Sequence, residues 1–170
     1  MTVRIKGYEL QAKQAIWLLI AVIVIVLDQW TKSLVSSALA YGQRINVLPF
    51  LDITYVHNPG AAFSFLANAG GWQIIFFTAI AVVMSIVLLV WTLVLPRTAK
   101  WMPVTLTLIM GGAIGNAIDR VRFGYVEDFI LAYWQNWYFP AFNVADAAIS
   151  VGAVMLLVDA FWLDKRRSAV

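Results

Sequence analysis

The segment FNVADAAISVGAVMLLV (residues 142–158) has the length and composition of a membrane-crossing helix, yet it carries a carboxylate near its start. Asp146 opens the apolar run, Asn143 precedes it by three residues, and the next charge is Asp159. Placing a charge beside hydrocarbon is costly, so an acid at this position indicates a functional role rather than packing. Asn143 is also a residue type that caps helices well.

The whole chain is far more apolar than a water-soluble domain. Its 170 residues are 62% hydrophobic and 12% charged, with a mean hydropathy of +0.82, which is typical of a membrane protein. We expect one membrane-embedded domain over residues 1–170. The absence of cysteine excludes disulfides and thiol chemistry, and a single histidine, His57, excludes a multi-histidine metal centre. The net charge of +3 fits membrane topology better than nucleic-acid binding.

Four apolar runs reach the roughly 20 residues that a helix needs to cross a bilayer. We predict transmembrane helices over about 15–35, 72–95, 101–118 and 144–163. The first run leads into DQWTK and not into a small-residue cleavage site, so we expect a retained helix rather than a signal peptide.

The distribution of lysine and arginine predicts the orientation. Eight basic residues lie on the side of the termini and four on the other side, so both termini are expected in the cytoplasm. The eight are Arg4, Lys6, Lys13, Arg97, Lys100, Lys165, Arg166 and Arg167, and the four are Lys32, Arg44, Arg120 and Arg122.

The segments 36–71 and 119–143 then face outward. In the first of them, INVLPF and LDITYV are rich in β-branched and aromatic residues, which predicts a small sheet at the membrane surface. The second contains the aromatic segment AYWQNWYFP, whose tryptophans and tyrosines are expected at the outer membrane interface.

Polar residues of three helices converge at one depth. At 1.5 Å per residue, Asp28 lies about 20 Å from the inner end of its helix, Asn116 and Asp119 about 22 and 27 Å, and Asp146 about 26 Å. Asn58 and Asp128 reach the same level from the outer segments. Such a cluster of costly groups is a candidate functional site.

Several of these polar residues also have a structural interpretation. Asp28 and Lys32, at i and i+4, can pair on one helix face. Asp119 and Arg120 can pair at the end of the third helix. Gly111 and Gly115 form a small-xxx-small pattern that favours close helix packing. We expect Asp52 and Glu127 to be solvated.

Asp128 and Asp146 differ because neither has a basic residue within four positions. Two carboxylates brought close in apolar surroundings cannot both ionise, so they share a proton. This is the arrangement of an acid/base pair that activates water against an amide. Asp119 is an alternative to Asp128 as the second acid, although an arginine beside it would favour its ionised form.

The chain resembles the lipoprotein signal peptidases, or signal peptidase II, over nearly its whole length. The resemblance is carried by five blocks in order: DQWTK at 28–32, NPGAAFS at 58–64, GGAIGNAIDR at 111–120, VEDFI at 126–130 and FNVAD at 142–146. It implies a mainly α integral membrane fold of four transmembrane helices, with a periplasmic β-cradle and a short periplasmic helix.

The resemblance also implies a function. It implies an aspartic endopeptidase of the bacterial inner membrane that cuts diacylglyceryl-modified prolipoproteins just before the lipidated cysteine, with its active site at the periplasmic face. The catalytic pair falls on Asp128 and Asp146. The substrate-binding or site-supporting positions fall on Asp28, Lys32, Asn58, Gly60, Asn116, Asp119, Arg120 and Asn143. The resemblance further implies inhibition by globomycin and contact with membrane lipid. We expect no metal and no cofactor, and we expect a monomer.

Three other functions remain as alternatives. A small transporter would use the carboxylates as an ion relay, but the polar residues lie at one end of the helices and not through the membrane. An assembly factor that binds a partner through the third helix leaves Asp128 and Asp146 unexplained. A hydrolase that holds Mg²⁺ through aspartate and asparagine oxygens would lose activity in chelator.

Overall fold

The computed structural model describes residues 2–5, 8–60 and 70–163, with side chains for 12–60 and 70–161. Within these residues there are four long helices: α1 (Leu18–Ala38), α2 (Trp72–Val94), α3 (Trp101–Phe123) and α4 (Val144–Val158). A 3-10 helix, Ala12–Trp17, precedes α1, and a π-helical turn, Asp159–Leu163, follows α4. Together with the 3-10 helix before α1 and part of the π-helical turn after α4, the described residues form four helical segments long and apolar enough to cross a membrane, as predicted.

The described residues also form six strands. β1 (Thr2–Ile5) and β2 (Tyr8–Gln11) pair as an antiparallel hairpin. A separate antiparallel sheet has the order β3-β4-β5-β6. Its members are β3 (Arg44–Leu48), β4 (Leu51–Asn58), β5 (Val126–Trp134) and β6 (Trp137–Tyr138). The sheet predicted from INVLPF and LDITYV is therefore confirmed. The described parts of 39–60 and 124–143 contain strands and turns but no helix, and residues 61–69 lie outside the described residues.

Helix α3 ends at Phe123, five residues beyond the predicted end of the third span, so Asp119 and Arg120 lie on the helix. Gly124 terminates it in the left-handed region with φ 78°, and its N–H donates to the carbonyl of Arg120 at 3.0 Å. Arg120 and Arg122 in the last turn favour the helix because cations stabilise the negative end of its dipole.

Helix α3 packs in the centre of the bundle, against α1, α2 and α4. Glycines allow this close approach, as the sequence predicts. A Cβ at Gly111 would lie 2.9 Å from the carbonyl oxygen of Ala21 on α1, and one at Gly112 would overlap that of Ala145 on α4. At Gly115 it would lie 2.7 Å from Oδ2 of Asp28. The same glycines therefore bring the polar residues of α1, α3 and α4 together.

The sheet is tied to the start of α4 by Phe142. Its N–H donates to the carbonyl of Ile130 on β5 at 3.0 Å, and its carbonyl accepts from the N–H of Ile130 at 2.8 Å. This bridge holds the residue after it, Asn143, beside β5. The cross-strand pair of Asp128 with Val56 fixes the register of that part of β5 against β4.

Substituting Gly112 with alanine is predicted to destabilise the bundle, because the added methyl meets the backbone carbonyl of Ala145 on α4, which cannot move aside as a side chain can. Overpacking of this kind costs about 1–3 kcal/mol. A thermal melt in detergent measures the effect. Ala79→Val, on the exposed face of α2, is the matched control and should leave the melting temperature unchanged. Equal melting temperatures for Gly112→Ala and wild type would contradict the packing account.

Candidate active site

A buried lysine lies between two carboxylates at the centre of the site. The ammonium group of Lys32 is 2.7 Å from Oδ2 of Asp28 and 2.8 Å from Oδ2 of Asp119. It also donates to Oδ1 of Asn116 at 3.1 Å. All three charged side chains are at most 2% exposed. The predicted pair of Asp28 and Lys32 is confirmed, and Lys32 further connects α1 to α3.

The expected pairing of Asp119 with Arg120 is wrong. Successive residues on a helix point about 100° apart, so the two side chains face different neighbours. Asp119 faces α1, where its Oδ1 accepts from Gln29 at 2.7 Å, and its Oδ2 also accepts from the backbone N–H of Glu127 at 3.2 Å. Both oxygens of Asp119 are thus occupied by bonds that join α1, α3 and β5.

Arg120 instead contacts the turn after β4. Its guanidinium donates to the carbonyl of Gly60 at 2.9 Å and to that of Asn116 at 3.3 Å, and it lies 5.4 Å from the ring centroid of Phe77. Asn58 Oδ1 accepts from the N–H of Gly60 at 3.1 Å, which shapes the same turn. Asn58, Gly60 and Arg120 therefore form one connected group.

Asn143 and Asp146 form a capping box at the start of α4. The N–H of Asp146 donates to Oδ1 of Asn143 at 2.9 Å, and the N–H of Asn143 donates back to Oδ2 of Asp146 at 3.2 Å. The expected cap is confirmed. Asn116 holds the other carboxylate oxygen, since its amide donates to Oδ1 of Asp146 at 2.7 Å.

The amide of Asn143 also reaches the second carboxylate. Its Nδ2 donates to Oδ1 of Asp128 at 2.7 Å, and Asn58 Nδ2 donates to Oδ2 of Asp128 at 3.1 Å. Asn143 is completely buried, and Asp128 is 2% exposed. A single asparagine therefore contacts both Asp128 and Asp146 and fixes one against the other.

The surroundings of Asp128 favour its protonated form. Burial, followed by the negative charge of Asp146, raises the pKa of Asp128 to about 7, against the lowering effect of the amides of Asn58 and Asn143. Neither Asp128 nor Asp146 forms an ion pair with a lysine or arginine in the described part of the chain. At neutral pH the pair can hold one proton, which is the state required for acid/base catalysis.

Glu127 is not solvated, contrary to the sequence-based expectation. Strand alternation turns it to the opposite side of β5 from Asp128, where it is 6% exposed and accepts from the hydroxyl of Tyr55 at 2.8 Å. Burial raises the pKa of its carboxyl group. Asp52 is half-exposed and accepts from Asn46 at 2.9 Å.

A groove of about 620 Å³ opens beside these residues. Asn58, Arg120 and Asp146 form its polar side, and residues of α4 and of the segment before it form the apolar side. The apolar lining consists of Val126, Phe139, Pro140, Ala141, Phe142, Ala147, Ile149 and Val151, with Ser150 among them. This "main groove" can accept an extended chain whose one side is apolar.

Sequence reasoning missed two parts of the site. Gln29 bonds Asp119, and the available signal was an uncharged amide next to Asp28 in an apolar run. Phe142 connects β5 to α4, and nothing in the sequence indicates its bridge to Ile130 because that contact depends on tertiary packing.

Removing the ammonium group of Lys32 is predicted to destabilise the protein strongly. Lys32→Met leaves Asp28 and Asp119 buried without a counter-charge, which costs about 3–5 kcal/mol. The melting temperature in detergent is the measurement, and Lys100→Met, at an exposed position, is the control. Adding Asp28→Asn and Asp119→Asn to Lys32→Met should restore part of the loss. A triple variant less stable than Lys32→Met alone would contradict the ion-pair account.

Comparison with known proteins gives a consistent result. A family model described as Signal peptidase (SPase) II matches residues 20–162. A lipoprotein signal peptidase of Acinetobacter baumannii (strain ATCC 17978) is 51% identical over 160 residues, covering 94% of this chain and 91% of the relative. One of Alteromonas mediterranea is 53% identical over 145 residues, covering 85% and 80%. A solved structure described as a bacterial membrane enzyme superposes with a TM-score of 0.77 at 32% identity, covering 93% of each chain.

Proposed function

The chain belongs to the signal peptidase II family and is a multi-pass membrane peptidase, and we propose that it works as an aspartic endopeptidase. Its substrate is a prolipoprotein whose cysteine carries diacylglycerol, and the cut falls just before that cysteine. The observation that carries this proposal is that one buried residue, Asn143, contacts both carboxylates: its side-chain amide donates to Asp128, and its backbone N–H donates to Asp146.

Asp146 is the base and Asp128 the acid in this proposal. Asp146 accepts hydrogen bonds from the amide of Asn116 and the N–H of Asn143, both of which stabilise a carboxylate anion. The raised pKa of Asp128, about 7, means that a large fraction of its carboxyl groups carry a proton near neutral pH and can donate it.

The reaction then proceeds in two stages, addition of water and collapse of the intermediate, and two protons are transferred in each stage. Asp146 takes a proton from water as the water oxygen attacks the scissile carbonyl carbon, and Asp128 gives its proton to the carbonyl oxygen. The resulting gem-diol collapses when one hydroxyl returns its proton to Asp128 and the C–N bond breaks. Asp146 gives its proton to the leaving amine of the cysteine. Both carboxyl groups regain their starting states, with a carboxylic acid and an amine as products.

Asp119 is a less suitable acid than Asp128. Its oxygens are occupied by Lys32, Gln29 and the N–H of Glu127, and it is 1% exposed. These contacts support a structural role for Asp119, together with Asp28 and Lys32.

The remaining residues are proposed to hold the substrate and to keep the pair in place. Asn58 and Arg120 line the main groove, Gly60 anchors Arg120, and Asn116 and Asn143 orient the carboxylates. The apolar side of the groove along α4 suits a substrate whose signal helix and acyl chains remain in hydrocarbon. The aromatic segment that ends in Phe139 and Pro140 is proposed to clamp the peptide.

The location follows from the charge distribution and the substrate. We place the enzyme in the bacterial inner membrane as a single domain, with both termini cytoplasmic and the carboxylates at the periplasmic face. We further expect it to act as a monomer, without metal or cofactor, and to be inhibited by globomycin. A short periplasmic helix is still expected.

Asp128→Asn and Asp146→Asn are each predicted to abolish cleavage, because neither asparagine can carry the transferred proton. The measurement is single-turnover cleavage of a diacylglyceryl-modified prolipoprotein by purified protein, where acid/base loss lowers the rate by at least ~10²–10⁴-fold. Asp52→Asn removes a half-exposed carboxylate outside the groove and is the control.

The fold of each variant is checked by its melting temperature, and substrate binding by crosslinking. The assignment would be wrong if Asp128→Asn cleaved at a near-normal rate while a folded Asp119→Asn did not cleave. Cleavage that stopped in excess chelator would show that a metal ion takes part.

A further inference from the structure

A second groove, of about 430 Å³, lies on the sheet next to the main groove. Residues Phe139, Pro140 and Ala141 line both, so the two grooves adjoin along this segment. The other lining residues include Arg44 and Thr54, which belong to β3 and β4, and Tyr138 of β6. We call it the sheet groove.

We propose that the sheet groove binds the first residues of the mature lipoprotein, those after the cysteine, and that Arg44 selects an acidic residue there. This inference rests on the proposed function. Arg44 is then a specificity determinant that contacts the mature lipoprotein, which is the product that keeps the lipidated cysteine.

The positions of the two grooves determine which part of the substrate each receives. The main groove runs along α4, and Val151 on its lining is 53% exposed on the face expected to meet lipid. A signal helix and acyl chains belong on that side. The sheet groove is built from β3 to β6 and the segment that follows β6, outside the helical bundle. On the outer side of the membrane it is the chain after the cysteine that leaves the hydrocarbon, and residues 139–141, which line both grooves, connect the two sites along its course.

The reach is short. An extended chain advances about 3.3 Å per residue, so two to four residues after the cut are enough to cross the shared segment. We therefore expect the selected position to be the second, third or fourth residue, counting the lipidated cysteine as the first.

Arg44 has no acidic partner among the residues that the structure describes. The nearby acid Asp52 is bonded to Asn46. The guanidinium lies 5.5 Å from the ring centroid of Tyr138, a contact that holds it over the groove. Thr54, its cross-strand neighbour, already donates to the carbonyl of Gln43. A substrate carboxylate can satisfy this cation and gains electrostatic attraction in doing so.

The size of the effect is modest because Arg44 is exposed to solvent. Ion pairs at such sites change an equilibrium by about threefold to fivefold, and a more enclosed pair by about tenfold or more. We expect a substrate with aspartate at the selected position to be cleaved with a kcat/KM about threefold to tenfold above that of the lysine substrate. Added salt should reduce this ratio.

The experiment uses the full chain in detergent or lipid with synthetic diacylglyceryl-modified prolipoprotein peptides. Serine, aspartate or lysine is placed in turn at the second, third and fourth positions, and kcat/KM is measured for each. Arg44→Gln should remove the preference for aspartate, and Arg44→Glu should reverse it in favour of lysine. Arg122→Gln is the matched control, because Arg122 is an exposed arginine that lines neither groove.

The serine substrates separate this inference from the proposed function. The melting temperature of Arg44→Glu, measured beside that of Arg122→Gln, shows that the variant is folded, and the serine substrates give each enzyme's own reference rate for its charge preference. If wild type cleaves all substrates but shows no charge preference at any position, or if Arg44→Glu keeps the wild-type preference, the inference is overturned while the proposed function stands. If wild type cleaves none of the peptides, the proposed function fails and the inference with it.

Discussion

The ammonium group of Lys32 contacts Asp28 at 2.7 Å and Asp119 at 2.8 Å in a place that is almost closed to solvent. Buried charges are tolerated only when they are paired and hydrogen-bonded, and here each partner satisfies further groups. Asp28 accepts from the N–H of Ala145 on α4 at 2.9 Å, and Asp119 accepts from the N–H of Glu127 on β5 at 3.2 Å. This one cation therefore holds α1, α3, α4 and the sheet in register.

Within the described residues neither Asp128 nor Asp146 forms an ion pair, and the cation that acts on both from a greater distance is Arg120. Their hydrogen bonds come from amides: Asn58 and Asn143 on Asp128, and Asn116 with the backbone of Asn143 on Asp146. Neutral donors position a carboxylate but do not force it to ionise as an adjacent ammonium group would. The two pairs of acids therefore have separate roles. The ion-paired acids, Asp28 and Asp119, keep the helices together, and the amide-bound acids, Asp128 and Asp146, remain free to exchange protons.

The sequence predicted the individual elements and local pairs better than the tertiary contacts that connect them. Local spacing in the sequence predicts five features that the structure confirms. They are the four spans, the sheet, the glycine packing of α3, the pair of Asp28 with Lys32 and the cap by Asn143. The partners of Asp119 and Arg120 did not follow, because adjacent residues point to different neighbours and only tertiary packing selects them. The burial of Glu127 was missed for a similar reason. Strand alternation shows that its side chain faces away from Asp128, but it does not show that the hydroxyl of Tyr55 donates to it on that side. The roles of Asp128 and Asp146 remain a proposal that this geometry supports.

The protonation state of Asp128 tests the account most directly, and infrared spectroscopy of the substrate-free protein in lipid measures it. The raised pKa of Asp128, about 7, means that its carboxyl group binds a proton throughout the mildly acidic range and loses it as the pH rises through neutrality. The difference spectrum between wild type and Asp128→Asn should then show a protonated-carboxyl band at pH 6 that disappears by about pH 8. A difference spectrum without that band at pH 6, or one in which it disappears near pH 4 as for an ordinary aspartate, would contradict the shared-proton pair.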